Sequence, residues 1–304
     1  MKRTSTFTLC SIIGGVLIVP LLLPLLAQAV TVGPVHLELS ANPGETVQGQ
    51  MFLQNEDAKV QTFYPSLEVF TEVGGVKVFL KDTAGDLPTW IEITPSSTIP
   101  SGQSKIIPFT IRVPRGASPG GHYAVIWWST APPANDSGNS VAIATKAGVL
   151  LYLRVAGDIR EEASVADFSA KNTFIFSLPF SARISFHNSG NVYVTPAGTV
   201  SLANILGGVQ ASVPLNPYDR VVLPNTDYAF DIALNPSGIA FGPYKVKLDV
   251  IYGAKQTHII KSFWVFILPT WLLIFIAVLI LLVFLIPKAI KRYNAWIVKK
   301  ATGK

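Results

Sequence analysis

The stretch Gly120-Gly121-His122-Tyr123-Ala124-Val125-Ile126-Trp127-Trp128-Ser129 opens on paired glycines, passes a tyrosine and enters five successive apolar residues. Glycines supply the tight turn, and the β-branched and aromatic run behind them has strand composition. A second version follows later as Gly242-Pro243-Tyr244-Lys245-Val246. Just upstream, Pro100 and Pro114 bracket one strand-like segment, and Pro224 and Pro236 bracket its counterpart. Earlier still, Phe52-Leu53-Gln54-Asn55 matches Phe186-His187-Asn188. Each Asn ends a strand and opens a polar turn, a task its side chain performs by bonding nearby backbone. The same order of signals occurs twice, so the chain contains two related units in tandem.

Reading outward, residues 30–262 are dominated by short β-type runs punctuated by Pro, Gly and Asn. Val35–Leu39, Thr46–Leu53, Lys105–Val113, Tyr123–Thr130, Ala147–Val155, Ala182–His187 and Tyr244–Ile251 are the clearest. Most alternate apolar and polar residues at period two, as half-buried strands do. No stretch carries a helical period with caps. Turn signals about 8–12 residues apart predict sandwiches rather than one large barrel. The charged patch Gly157-Asp158-Ile159-Arg160-Glu161-Glu162 interrupts the strand that ends at Val155 and precedes a new one around Val165–Ser169. The first sandwich is therefore expected over 30–158 and the second over 159–262, with a linker short enough to favour one relative angle. A Tyr directly after the glycine turn resembles the tyrosine corner of immunoglobulin-like sandwiches, where the hydroxyl bonds back to the chain. The expected fold is an all-β ectodomain of two tandem immunoglobulin-like β-sandwiches, followed by one C-terminal transmembrane α-helix.

The two ends read as targeting segments. Residues 1–29 have a basic start, an apolar run from about Leu9 to Leu26 and a closing Ala27-Gln28-Ala29, the pattern of a secretory signal peptide. An uncleaved anchor is the alternative, and Pro20 and Pro24 within the run count against it. The segment 263–286 holds no charged residue. About 20 residues at 1.5 Å rise cross a ~30 Å hydrocarbon core, so this segment is expected to span, with Trp264 and Trp271 toward its outer interface. The tail, 287–304, carries Lys288, Lys291, Arg292, Lys299, Lys300 and Lys304 without an acid. Positive charge stays cytoplasmic, so the expected localisation is the cell membrane, single-pass, with the N-terminal domains outside. As a helix the tail sets Ile290, Tyr293 and Ile297 largely opposite its cations, which suits an anionic inner leaflet. Sortase anchoring is excluded, because Leu268-Pro269-Thr270-Trp271 lacks the required Leu-Pro-x-Thr-Gly order.

This distribution also removes nucleic acid as a partner. The formal net charge is +6, yet Lys2, Arg3 and the six tail cations more than account for it. The intervening chain is slightly acidic and has no basic stripe of the kind nucleic-acid binding requires. Charged residues are only 14% of the chain, against roughly 25% in soluble domains. The sole cysteine, Cys10, falls in the signal region near the start of the apolar run. That excludes thiol catalysis and disulfides from the mature part, and its position does not fit a lipidation site.

The same residues carry a family resemblance. Asn42-Pro43-Gly44-Glu45-Thr46 leading to Asn55, then Pro119-Gly120-Gly121-His122-Tyr123, resembles the first domain of WxL-interacting proteins. Phe186-His187-Asn188-Ser189-Gly190-Asn191-Val192 through Pro196-Ala197-Gly198 is similar to the opening of that family's second domain. The closing span and basic tail complete the same order. The resemblance implies a bacterial surface protein that binds without catalysis: peptidoglycan through the first domain, host ligands through the second, and WxL-domain proteins as partners.

Motifs for chemistry do not survive inspection. Gly116-Ala117-Ser118-Pro119-Gly120 matches G-x-S-x-G, but Pro119 has no N–H for an oxyanion hole and a strand rather than a helix follows. His36, His122, His187 and His258 have no second His or carboxylate at ligand spacing, so no metal is expected. Asp82-Thr83-Ala84-Gly85-Asp86 offers too few oxygens for calcium and reads as a solvated turn. No catalytic residue and no cofactor is expected. The candidate ligand contacts are Trp127 and Trp128. Neighbours in a strand point to opposite faces, so one fills the core. The other faces a ligand, the second domain or the Pro-, Asn- and Gly-rich loop Ala131–Ser140 with its Asn135-Asp136-Ser137 sequon.

The expected function is thus a membrane-anchored extracellular binding protein that holds a cell-wall polymer or a surface or envelope protein near the membrane. Lipid is contacted through the helix and tail. The alternatives are an assembly subunit of an envelope complex acting by β-strand pairing, and a membrane-anchored wall hydrolase or its accessory.

Overall fold

The computed structural model describes residues 30–81, 86–132 and 145–302. The expected signal peptide, 1–29, residues 82–85 and most of the Ala131–Ser140 loop with its sequon lie outside the described residues. The first sandwich comprises β1 (Val30–Gly33), β2 (His36–Ala41), β3 (Thr46–Asn55), β4 (Gln61–Val73), β5 (Val76–Leu80), β6 (Ile91–Ile93), β7 (Ser97–Ile99), β8 (Ser104–Arg112), β9 (Gly120–Ser129) and β10 (Lys146–Val155). One sheet runs β1-β3-β8-β6 and the other β2-β10-β9-β4-β5, with β7 on the far part of β4. Pro34 interrupts the first strand, so β1 pairs antiparallel with β3 while β2 crosses to pair parallel with β10.

The second sandwich comprises β11 (Ala163–Ala170), β12 (Phe174–Ile175), β13 (Phe180–Asn188), β14 (Ala197–Asn204), β15 (Val209–Pro214), β16 (Thr226–Leu234), β17 (Gly242–Tyr252) and β18 (Thr257–Ile267). Its sheets run β11-β13-β16 and β12-β18-β17-β14-β15. The expected all-β pair of immunoglobulin-like sandwiches followed by one apolar helix is what the chain forms. Each strand predicted from alternation is present, because alternation turns one face inward. Along β13, for instance, Phe180, Ala182, Ile184 and Phe186 are buried between the sheets.

The tandem repeat extends to hydrogen bonds. Asn55, fully buried at the end of β3, donates from Nδ2 to the carbonyls of Lys59 and Ile99 at 2.8 and 2.9 Å, and accepts from the Asp57 N–H at 3.0 Å. Asn188, fully buried at the end of β13, donates to Val192 and Val222 carbonyls at 2.9 Å each and accepts from the Gly190 N–H at 2.9 Å. In both domains one amide closes the turn after the strand and ties it to a distant segment. Backbone groups at a strand end need such partners when water is excluded.

The C-terminal helix, α1 (Thr270–Thr302), begins later than the sequence suggests. The uncharged run 263–286 includes the last five residues of β18, and Val265 and Ile267 are fully buried in the second sandwich. A strand whose inward residues are apolar and whose outward ones are Trp264 and Phe266 merges with a span in a hydropathy reading. The 29 residues Thr270–Val298 are long and apolar enough to cross a membrane, and the protein itself buries none of the apolar window. The helix continues through Pro287 into the basic segment, where Tyr293 stacks with Trp296 and Lys300 lies over the Trp296 ring.

Replacing Asn55 or Asn188 by Ala strands two buried carbonyls and one N–H. Each substitution is expected to cost about 3 kcal/mol, read as a lowered denaturation midpoint of the full chain, and Asp at either position should recover only the acceptor's share.

Candidate functional site

The two tryptophans occupy opposite faces of β9. Trp128 is fully buried between the sheets, its Nε1 directed at the Met51 sulfur at 3.3 Å. Trp127 lies on the outer face, half-buried, and donates from Nε1 to a Glu68 oxygen at 2.9 Å. The Lys146 ammonium stands 4.4 Å from the Trp127 ring centroid and bonds the other Glu68 oxygen at 3.1 Å. Phe79 packs edge-on at 5.0 Å. Gly148, opposite Trp127 in the register, lets the ring lie against the sheet, since a Cβ there would come within 2.5 Å of it. The described cover of Trp127 is therefore Phe79 of β5 and Lys146.

Trp127 borders an aromatic cluster that joins the two domains. Phe70, Val125, Tyr152 and Leu223 are buried together, with Tyr123, Tyr193 and Val221 packed against them. Tyr152 touches Phe70 at 5.4 Å and, across the interface, Tyr193 at 5.3 Å between ring centroids. The expected tyrosine corner takes another form. The Tyr123 hydroxyl points toward the Tyr193 backbone of the second domain without a well-formed bond, and burial raises its pKa. Burial also pushes Tyr152 up to about 12.

Asn191 holds the domain junction together. Its side chain accepts from the Arg160 N–H at 2.8 Å and donates to the carbonyls of Asp158 and Pro119 at 2.8 and 3.3 Å. Its carbonyl accepts from the Gly121 N–H at 2.8 Å. Linker, first domain and second domain thus meet at one residue. Gly120, at φ +134°, is required here: a Cβ would lie 2.7 Å from the Asn191 carbonyl oxygen. The Arg154–Glu161 ion pair at 3.2 Å adds a second tie across the linker.

Beside the cluster, between the domains, runs a groove lined by His36, Glu38, Lys77, Tyr152, Thr195 and Arg220. Both signs of charge line it. Glu72 sits nearby on the outer face, nearly buried, with one carboxylate oxygen unpartnered. Burial raises its pKa, and the positive charges of Lys77 and Arg220 only partly offset this. Tyr193 is raised too, by burial and then by its bond to Glu38.

Sequence reasoning missed most of this lining. The available signal was the period-two pattern of Glu68-Val69-Phe70-Thr71-Glu72 in β4, whose positions Glu68, Phe70 and Glu72 share the face of the sheet that borders the site. The histidines also find carboxylates that local spacing does not show. His122 meets Asp86 at 3.0 Å, His187 meets Asp227 at 2.9 Å, and His258 meets Asp249 at 3.1 Å. These are single pairs, and among the described residues no group of three or more His, Cys, Asp or Glu could hold a metal ion. Asp86, expected in a solvated turn, instead caps a short 3-10 turn at Leu87–Trp90 and binds His122.

No protein-family profile and no curated protein matches the chain. Among solved structures it is similar to the class 5 fimbriae chaperone CfaA at 14% identity, covering 77% of this chain and 98% of that one with a TM-score of 0.42. The E. coli chaperone DraB gives 13% identity, 79% and 97% coverage and a TM-score of 0.38. The Salmonella enterica SafA pilin–SafB chaperone complex gives 13%, 79%, 96% and 0.37.

The His122–Asp86 pair predicts a pH window. Burial lowers the His122 pKa, but its bonds to Asp86 and the Ser118 carbonyl outweigh this and leave it raised. The His122 bond lowers the Asp86 pKa against its own burial. The histidine's share of stability is complete below about pH 6.5 and is lost as pH rises through the raised value. The aspartate's share is present above about pH 4 and is lost as pH falls through the lowered one. Discounted for the partial exposure of Asp86, the pair is worth about 1 kcal/mol. Thermal unfolding of His122→Gln against the parent should show the difference at pH 5.5 and its loss by pH 9.

Proposed function

We propose that the chain is a membrane-anchored, extracellular, non-catalytic binding protein that holds an extended segment of a surface or envelope protein at the outer edge of β5. The observation that carries this reading is that edge. β5 pairs only with β4 among the described strands, and its sequence Val76-Lys77-Val78-Phe79-Leu80 holds one charge and no Pro. Val76, Val78, Phe79 and Leu80 are all exposed. Edges of this kind are normally blunted by charge, Pro or a bulge, because their unpaired N–H and C=O groups recruit another strand. The two-residue turn Gly74-Gly75 makes Val73 and Val76 a hydrogen-bonded pair. By alternation the Lys77 and Phe79 N–H groups point away from β4. An added strand gains main-chain bonds there, and its side chains reach Trp127 and the charged groove for specificity.

On this reading the edge lies outside a cell membrane, supported by the apolar α1 and, through the positive-inside rule, by the basic end that follows it. The Asn-Pro-Gly and Gly-Gly-His-Tyr turns, the two sandwiches and the closing span support grouping the chain with WxL-interacting proteins. Wall polymer is the second reading, favoured by the half-exposed Trp127 indole on the same face.

Lys77→Pro removes one outward N–H and leaves the bonds to β4 intact. From detergent extracts the parent chain should bring down a stoichiometric envelope subunit, and Lys77→Pro should lose it by at least tenfold. If instead the full chain sediments with isolated wall polymer, and Lys77→Pro does so equally, the strand-pairing reading falls.

A further inference from the structure

The end of the second sandwich from which α1 leaves is unusually apolar. β12 lies parallel to β18 with Phe174 opposite Phe266, and β17 begins with Gly242 opposite Ile267. β14 ends with Asn204 opposite Tyr244. Three turns therefore gather around the exit of the helix, at 171–179, 205–208 and 235–241. Each exposes large apolar side chains: Phe174 and Phe176 on the first, Ile205 and Leu206 on the second, Ile239 and Phe241 on the third. Leu206 is 91% exposed and Ile239 76%. The three turns contain no Asp or Glu, and Lys171 is their one charged residue. The turn at the opposite end of the β17–β18 hairpin is Gly253-Ala254-Lys255-Gln256, small and polar.

Scattered apolar residues on a surface are ordinary, but six on three turns at one pole are not. The helix fixes what that pole faces. Only Leu268 and Pro269 separate β18 from α1, and the Leu268 and Thr270 N–H groups donate to the Ile175 and Phe176 carbonyls at 2.8 and 3.3 Å. The first helical turn is thus bonded to the first of these turns. A cavity of about 550 Å³, lined mainly by Phe176, Leu178, Ile239, Ala240, Pro269 and Trp271, lies between the turns and the helix start. Through this cavity the start of α1 meets the first and third turns, with Ser177 and Thr270 the only polar side chains in the lining.

We infer that this pole of the second sandwich is seated in the outer leaflet, with the three apolar turns forming a collar in the interface around α1. The occupant of the apolar surface is lipid, since the surface is continuous with a helix that already faces lipid. The collar fixes the depth and tilt of the ectodomain in a way that a helix on a flexible stalk does not. This inference rests on the reading of α1 as a membrane span and not on the ligand of β5.

The test uses the full chain with Cys10→Ser, reconstituted in phosphatidylcholine–phosphatidylglycerol nanodiscs. Single spin labels are placed at Leu206→Cys, Ile239→Cys, Lys255→Cys and Ile280→Cys, and accessibility to oxygen and to a water-soluble nickel chelate is compared. The labels at 206 and 239 should show the oxygen-dominated accessibility of the label at 280, and 255 should be aqueous. The exposed Leu206→Asp, Ile239→Asp pair should move a label at Phe241→Cys toward water by several-fold in the accessibility ratio. Labels at 206 and 239 that match 255, with 280 in lipid, overturn the collar alone. An aqueous label at 280 overturns the span and the collar together.

Discussion

Two residues of connection between the last strand and the helix constrain everything above them. Leu268 and Pro269 leave no room for a hinge, and backbone bonds from Leu268 and Thr270 fasten the junction to the strand beside it. The second sandwich has the orientation of its helix. The first sandwich inherits that orientation, because Asn191, the Arg154–Glu161 pair and the ring cluster around Tyr152 hold the domains together. The β5 edge therefore holds a set direction relative to α1.

The fold was legible because its signals are local and doubled. Glycine turns, period-two alternation and the strand-ending Asn55 and Asn188 each read from a few neighbouring residues. The start of the helix was not legible in the same way. Val265 and Ile267 are apolar because they fill a sandwich core, whereas Ile274 and Leu282 are apolar with no protein around them. Hydropathy ranks both as strongly apolar, and the strand shows itself only in the structure, as alternating burial along Phe263–Ile267.

The site was less legible because it is made between distant segments. Opposite placement of Trp127 and Trp128 follows from strand geometry, and the structure assigns Trp128 to the core. What covers Trp127 depends on β5, which contributes Phe79, and on Lys146 and Glu68 from two other strands. The polar turn residue Asn191 reads as one more loop asparagine, yet it bonds two distant segments, 119–121 and 158–160. Long-range hydrogen bonds of this kind leave no spacing to find.

The direction of the strands in the second sandwich has a mechanical meaning. β11 enters that domain from the first sandwich and β18 leaves it into α1, so tension between the first sandwich and α1 pulls the two along their lengths in opposite senses. β18 is paired with β17 over eleven positions, from Tyr252↔Thr257 to Gly242↔Ile267. A lengthwise load strains those bonds together as a shear clamp, instead of opening them one at a time. A protein tethered this way resists extraction of its last strand under load and passes the force into the helix as a unit.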